Sequence, residues 1–219
     1  MTELDEVKRI LRGIEDPTER QLRFAAILAR EIEVSSEDFI IVGGSATAIY
    51  TDGRYASGDI DAVLTARREE RTRVLRRWGF TQQGRQWYRE DVGVYLDFVK
   101  PPYSGDLSRT QVIATPEGPV RVAAVEDLLV KWLLSAKWWR EPKDMDHARL
   151  LAAANRDRID WAYVQRRSEE GEVADFLAAL RKSLGSPPSE LMEGARGRRA
   201  AGPVPRRRQK RASRRRSQG

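Results

Sequence analysis

Leu4, Val7, Ile10, Leu11 and Ile14 recur three and four positions apart, which predicts an amphipathic helix over residues 3–14. Asp16-Pro17-Thr18-Glu19 reads as a cap followed by proline in the first helical position. It opens a second helix over 17–32, with Leu22, Ala25, Leu28, Ala29 and Ile32 on one face. Both helices read as packing elements, broken by Ser35, Ser36 and Asp38. Phe39 to Val42 is uniformly apolar, as a buried strand would be, and Ser45 to Tyr50 predicts a short helix. A turn at residues 51–54 leads to a second strand over 59–64 and a charged helix over 67–78 that buries Val74, Leu75 and Trp78. Strands follow over 79–83, 86–90 and 92–99, then a hairpin of 109–114 with 119–122 across Pro116-Glu117-Gly118. Helices over 124–138, 159–168 and 172–184, and one that the run Trp138 to Asp146 opens and that ends at about 154, complete the pattern, and Ser186-Pro187-Pro188 marks its exit. The first of these turns Val125, Leu128, Leu129, Trp132 and Leu133 inward and leaves Glu126, Asp127 and Lys131 on its surface.

This order of elements predicts an α+β fold, a mixed sheet flanked by helices. The expected parts are N-terminal helices (1–37), a core (38–123), a helical part (124–186) and a disordered basic tail (187–219).

The chemistry concentrates between residues 40 and 61. Val42-Gly43-Gly44-Ser45 joins an apolar strand to a helix, so its backbone N–H groups face outward at a helix start, a setting suited to phosphate. Asp59 and Asp61 alternate along a strand and so share a face, where their like charges repel unless a cation lies between them. Carboxylate oxygens suit a hard divalent ion such as Mg²⁺. In the strand Val92 to Val99, Val94, Leu96 and Phe98 form one face and leave Asp97 on the other. An unpaired acid there costs several kcal/mol to bury, which points to an exposed sheet end or to a site.

Charge changes the picture of the whole chain. The net formal charge is +7 from 40 basic and 33 acidic residues, but Gly194 onward carries 11 basic residues and no acid. Removing these 11 leaves 29 basic against 33 acidic, so positions 1–193 carry −4. The tail, including Arg206–Arg216, reads either as an arm for RNA or other nucleic acid or as a solvated terminus; it lacks interleaved aromatics, so base stacking is not indicated. No cysteine is present, which excludes disulfides and thiolate metal sites. No apolar run reaches the roughly 18–20 residues that span a membrane. The acidic N-terminus does not resemble an export signal, so the expected location is the cytoplasm.

Val42-Gly43-Gly44, the short helix, Asp59-Ile60-Asp61 and the later Asp97 together resemble the nucleotidyltransferase fold superfamily. The spacer between Gly44 and Asp59 is 14 residues, one more than usual, and the extra residue falls in the loop from Asp52 to Gly58. Glu126-Asp127-Leu128 with Lys131, then Arg140, Lys143-Asp144 and Asp146, is similar to a segment of small bacterial nucleotidyltransferases related to the abortive-infection toxin group. The resemblance covers residues 38–155. It implies a Mg²⁺-dependent transfer of NMP from an NTP such as ATP to an RNA, protein or small-molecule acceptor. Asp59, Asp61 and Asp97 would be the catalytic metal ligands of two Mg²⁺ ions. Gly43, Gly44 and Ser45 would cradle phosphates, with Lys131, Lys143 and Asp144 also at the nucleotide. A toxin-like role would bring an antitoxin-type protein partner.

Blander readings stand beside these. Lys131 could instead pair with Asp127 four residues earlier, and Asp144 could simply favour its helix dipole. His147 reads as ordinary surface or core. Trp132, Trp138 and Trp139 read as core or a hydrophobic wall more readily than as a stacking platform. A catalytically inactive module of the same fold, binding nucleic acid or a protein, is the competing function.

Overall fold

The computed structural model describes residues 3–140 and 142–185. The expected disordered tail, with Arg206–Arg216, lies outside the described residues. Helix α1 (Glu3–Arg12) precedes α2 (Pro17–Glu31), whose N-cap Asp16 accepts a hydrogen bond from Glu19 N at 2.7 Å, with Pro17 in the first turn. Strand β1 (Phe39–Ile41), helix α3 (Gly43–Tyr50) and strand β2 (Ile60–Leu64) follow. Helix α4 (Arg68–Arg77) leads into β3 (Thr81–Gln83), β4 (Gln86–Arg89) and β5 (Val94–Val99). A short 3₁₀ turn, Leu107–Arg109, precedes the hairpin β6 (Gln111–Thr115) and β7 (Gly118–Val122). Four helices close the fold: α5 (Val125–Trp138), α6 (Pro142–Ala154), α7 (Trp161–Glu170) and α8 (Ala174–Leu184).

The fold is α+β, as the hydrophobic pattern predicts. Seven strands form one mixed sheet in the order β3-β4-β5-β2-β1-β7-β6. β2 runs parallel to β5 and β1 parallel to β7; the other neighbours are antiparallel. Alternation sends Phe39 and Phe98 to one face, where their rings meet edge to face and Arg71 of α4 lies over Phe98 at 4.2 Å. Helix α2 joins this layer through Phe24, whose ring contacts Trp78 and Phe80. The opposite face carries Asp61, Val63, Asp97 and Val99, and α5 lies against it. Among the described residues, no helix is long and apolar enough to cross a membrane.

Several element boundaries differ from the sequence pattern. Helix α3 begins at Gly43 rather than Ser45, because Val42 stays extended and the chain coils directly after it. Asp59 lies one residue ahead of β2, at the end of the preceding loop. β5 begins at Val94 rather than Val92, since Gly93 adopts φ +67° in the turn. Glu126 and Asp127 are buried, not on the surface of α5. Asp127 accepts from Tyr103 Oη (3.0 Å), Asp106 N (2.9 Å) and Tyr163 Oη (2.8 Å); Glu126 accepts from Asp160 N (3.0 Å). The acids are satisfied by the 103–106 loop and by α7, partners remote in sequence. Trp132 is buried as expected, but Trp138 and Trp139 are 61% and 73% exposed at the end of α5, where no element of the described residues covers them.

Candidate metal and nucleotide site

The site is built on two neighbouring strands. Parallel pairing sets Asp61 of β2 directly beside Asp97 of β5, and Asp59 enters from the loop just before β2. One carboxylate oxygen from each of the three lies within 4.8 Å of the other two. Asp97 is 4% exposed, while Asp59 and Asp61 are partly buried. Burial pushes the Asp59 carboxyl above its ordinary range, and the Asp97 charge adds to this. Asp61 is pushed up as well, by burial and then by Asp59; Lys131 and the Gly44 N–H partly offset the shift.

Helix α3 carries the glycine turn to this cluster. Gly44 N donates to Asp61 Oδ2 at 2.7 Å. Gly43 sits at φ +59°, and a Cβ built there would lie 2.5 Å from the same oxygen. Glycine is needed twice over, for the left-handed backbone and for the close approach of the carboxylate. Ser45 is fully buried, and its Oγ accepts from Asp61 N (2.8 Å) while donating to Val42 O (3.2 Å). Its hydroxyl thus stitches the turn to β2. Deeper in the helix, Thr47 Oγ1 donates to Gly43 O (2.9 Å) and accepts from Trp132 Nε1 of α5 (3.0 Å). Tyr50 Oη donates to Ala123 O, and Asn155 Nδ2 of α6 donates to Tyr50 O, each at 2.9 Å. These contacts fix the helix start against the acids.

The residues expected around the nucleotide divide. Lys131 is exposed and, among the described residues, makes no ion pair within 4 Å; its charge bears on Asp61. The alternative Asp127–Lys131 pair does not form, because Asp127 is turned to its tyrosines and to Arg167 (3.5 Å). Lys131, Lys100, Val63, Val99 and Leu134 line a cavity of about 240 Å³ one step along the sheet from the acids. Lys143 is exposed on α6, and its charge bears on His147. Asp144 is buried, accepts from Ser135 Oγ and lies 3.6 Å from His147 Nδ1.

Four residues escaped the sequence pattern. Arg85, in the β3–β4 turn, places Nε 2.7 Å from Asp97 Oδ1. The contact is an ion pair without an aligned N–H, so this buried oxygen has no hydrogen bond. Tyr55 folds back over the glycine turn; a Cβ at Gly44 would lie 3.2 Å from its Oη. Its ring packs edge-on against His147 at 4.8 Å, and His147 packs against Trp132 at the same distance. Burial and the charges of Asp61 and Asp59 push the Tyr55 phenol up, while burial pushes His147 down. His147 thus belongs to the wall behind the turn rather than to ordinary surface. The fourth is Ser57, whose Oγ donates to Asp59 O at 2.8 Å, while Gln21 Nε2 of α2 donates to Ser57 O at 3.1 Å. These bonds hold the loop ahead of Asp59 in place.

The donor set fits a hard divalent cation. Three carboxylates converge, two with raised proton affinity, and a buried oxygen of the third lacks a hydrogen bond. No protein-family model, curated protein or solved structure matches the chain. The fold and the site define a mixed α/β fold with a central mixed sheet and an acidic cluster suited to metal.

Proposed function

We propose that the chain is a Mg²⁺-dependent nucleotidyltransferase, moving NMP from an NTP to an acceptor hydroxyl. The observation that carries this reading is the convergence of Asp59, Asp61 and Asp97 within 4.8 Å, next to the N–H groups of a glycine turn. Mg²⁺ held by these carboxylates would neutralise charge at the attacking and leaving oxygens. The acceptor oxygen forms a bond to the α-phosphorus as the bond from that phosphorus to the pyrophosphate oxygen breaks; the hydroxyl proton passes to a carboxylate. Asp97 is the residue we assign to that proton, once its oxygen leaves the ion pair with Arg85. Gly43, Gly44 and Lys131 would face the triphosphate, with Tyr55 closing over it. Ser45 and Asp144 support from behind, and Lys143 is assigned to the phosphates as the more distant cation. Arg206–Arg216 would serve as an RNA-binding arm, and the exposed Trp138–Trp139 pair as a surface for an antitoxin-type protein.

The test is a thermal shift with each NTP and Mg²⁺, followed by transfer of label from α-labelled NTP. A Mg²⁺-dependent shift that disappears in Asp61→Asn is the expected result. No shift with any NTP, and no transfer to RNA, protein or aminoglycoside, would end the reading. The Arg85–Asp97 ion pair favours a second reading, a non-catalytic module whose acids are neutralised from within. In that case Mg²⁺ would leave the melting temperature unchanged, and Arg85→Ala would lower it.

A further inference from the structure

Alternation along β5 puts Tyr95 on the same face as Asp97. Antiparallel pairing sets Gln86 of β4 beside Asp97, and Tyr88 beside Tyr95. The face therefore carries successive rungs: Tyr88–Tyr95, then Gln86–Asp97–Asp61, then Val99–Val63. The two tyrosine rings stack with centroids 6.3 Å apart and planes 14° from parallel, and Tyr95 is 43% exposed. Beside them opens a cavity of about 340 Å³, lined by Gln86, Tyr88 and Tyr95 and reaching Gly58 and Asp59. The cavity with Lys131 lies beyond the acids in the opposite direction.

We propose that the tyrosine cavity is the acceptor subsite, and that its occupant is the terminal nucleoside of a single-stranded polynucleotide. This rests on the nucleotidyltransferase reading. In-line displacement brings the acceptor in opposite the departing pyrophosphate. With the triphosphate on the Gly44 and Lys131 side of the acids, the acceptor must enter from the tyrosine side. Two residues along a strand advance roughly 7 Å. A nucleobase stacked on Tyr95 lies about that far from its own ribose hydroxyl, so the hydroxyl falls at the acids. A phenol stacked in the same place carries its hydroxyl on the ring edge and falls short. Stacking accepts any base, and the Gln86 amide offers both a donor and an acceptor to a base edge. The same chain carries 11 basic residues without an acid from Gly194 onward, charge suited to the phosphates of a polynucleotide but unable to stack its bases.

The experiment uses the full chain, Mg²⁺, α-labelled NTP and short single-stranded oligonucleotides. RNA and DNA form separate arms, each with a free or a phosphate-blocked 3′ end. The expected result is label on the free 3′ end, with the arms showing which sugar is preferred. In Tyr95→Ala the KM for the oligonucleotide rises about tenfold or more, and the Mg²⁺–NTP thermal shift is unchanged. Tyr95→Phe, which keeps the ring, stays near wild type. An unchanged KM in Tyr95→Ala, equal labelling of blocked ends, or label on a protein instead would overturn the subsite. So would a chain that binds Mg²⁺–NTP yet labels no oligonucleotide, an outcome that leaves the transferase reading standing. Absence of any NTP shift sinks both.

Discussion

Asp61 is held at a cost to the stability of the fold. Its carboxyl is pushed up by burial and by Asp59, so its charged form is disfavoured in the folded chain relative to the unfolded one. The contribution to stability is therefore full below the unfolded carboxylate range and lost as pH rises through the raised folded value. Asp61→Asn should raise the melting temperature in Mg²⁺-free buffer at neutral pH by a few degrees, since the amide can still accept from Gly44 N. The gain should shrink as pH falls through the raised folded value, where the wild-type carboxyl takes up its own proton. A melting series against pH for both proteins checks the sign. Gly43 is the second decisive residue. Gly43→Ala meets both a left-handed backbone and an oxygen at 2.5 Å, and should cost about 1–3 kcal/mol in urea unfolding. It should also weaken the Mg²⁺-dependent thermal shift, if the displaced carboxylate holds the ion as proposed.

At the scale of elements, two connections decide the site. The β3–β4 turn delivers Arg85 to Asp97, so a protein cation already holds an oxygen that the proposed metal would need. Arg85→Ala should tighten Mg²⁺ binding several-fold, read as a lower half-saturating Mg²⁺ concentration in calorimetry. An unchanged or weaker affinity would show that the pair is incidental. Helix α3 is held at its far side by the Trp132–Thr47 hydrogen bond. Thr47→Val preserves the shape but removes the acceptor, leaving a buried indole N–H unpaired. A loss of about 1–3 kcal/mol in chemical denaturation is expected, with Mg²⁺ affinity falling as the helix start loosens. Boundaries at this scale moved where glycines turn the chain, as at Gly43 and Gly93. Periodicity reports which face is apolar, not where an extended residue gives way to a coil.

For the whole molecule, the charge asymmetry is the leading feature. Deleting residues 194–219 removes 11 basic residues and takes the net charge from +7 to −4. RNA retention should fall, and what remains should depend less steeply on salt, while the Mg²⁺–NTP thermal shift persists. A filter-binding titration across salt concentrations, run beside the thermal shift, separates the two effects. Loss of both would place the nucleotide function in the tail and contradict the site on the sheet.

The fold class, the buried strands and the three acids were legible in the chain, because period two and period 3.6 are local rules that need no knowledge of partners. Parity set Asp97 apart from Val94, Leu96 and Phe98; it also paired Asp59 with Asp61, although Asp59 enters from the loop just ahead of β2. What neither period contains is which strands lie side by side. The parallel pairing of β2 with β5 set Asp61 against Asp97, and the antiparallel pairing of β4 with β5 set Tyr88 and Gln86 beside Tyr95 and Asp97. Glu126 and Asp127 read as surface residues because their partners, Tyr103, Tyr163 and the Asp160 N–H, are distant in sequence. Arg85 and Tyr55 were hidden for the same reason: each acts across a gap closed by a turn or loop. The chain by itself determined the residue types and the face on which each strand displays them; only the tertiary structure, by choosing neighbours, made three scattered acids one site.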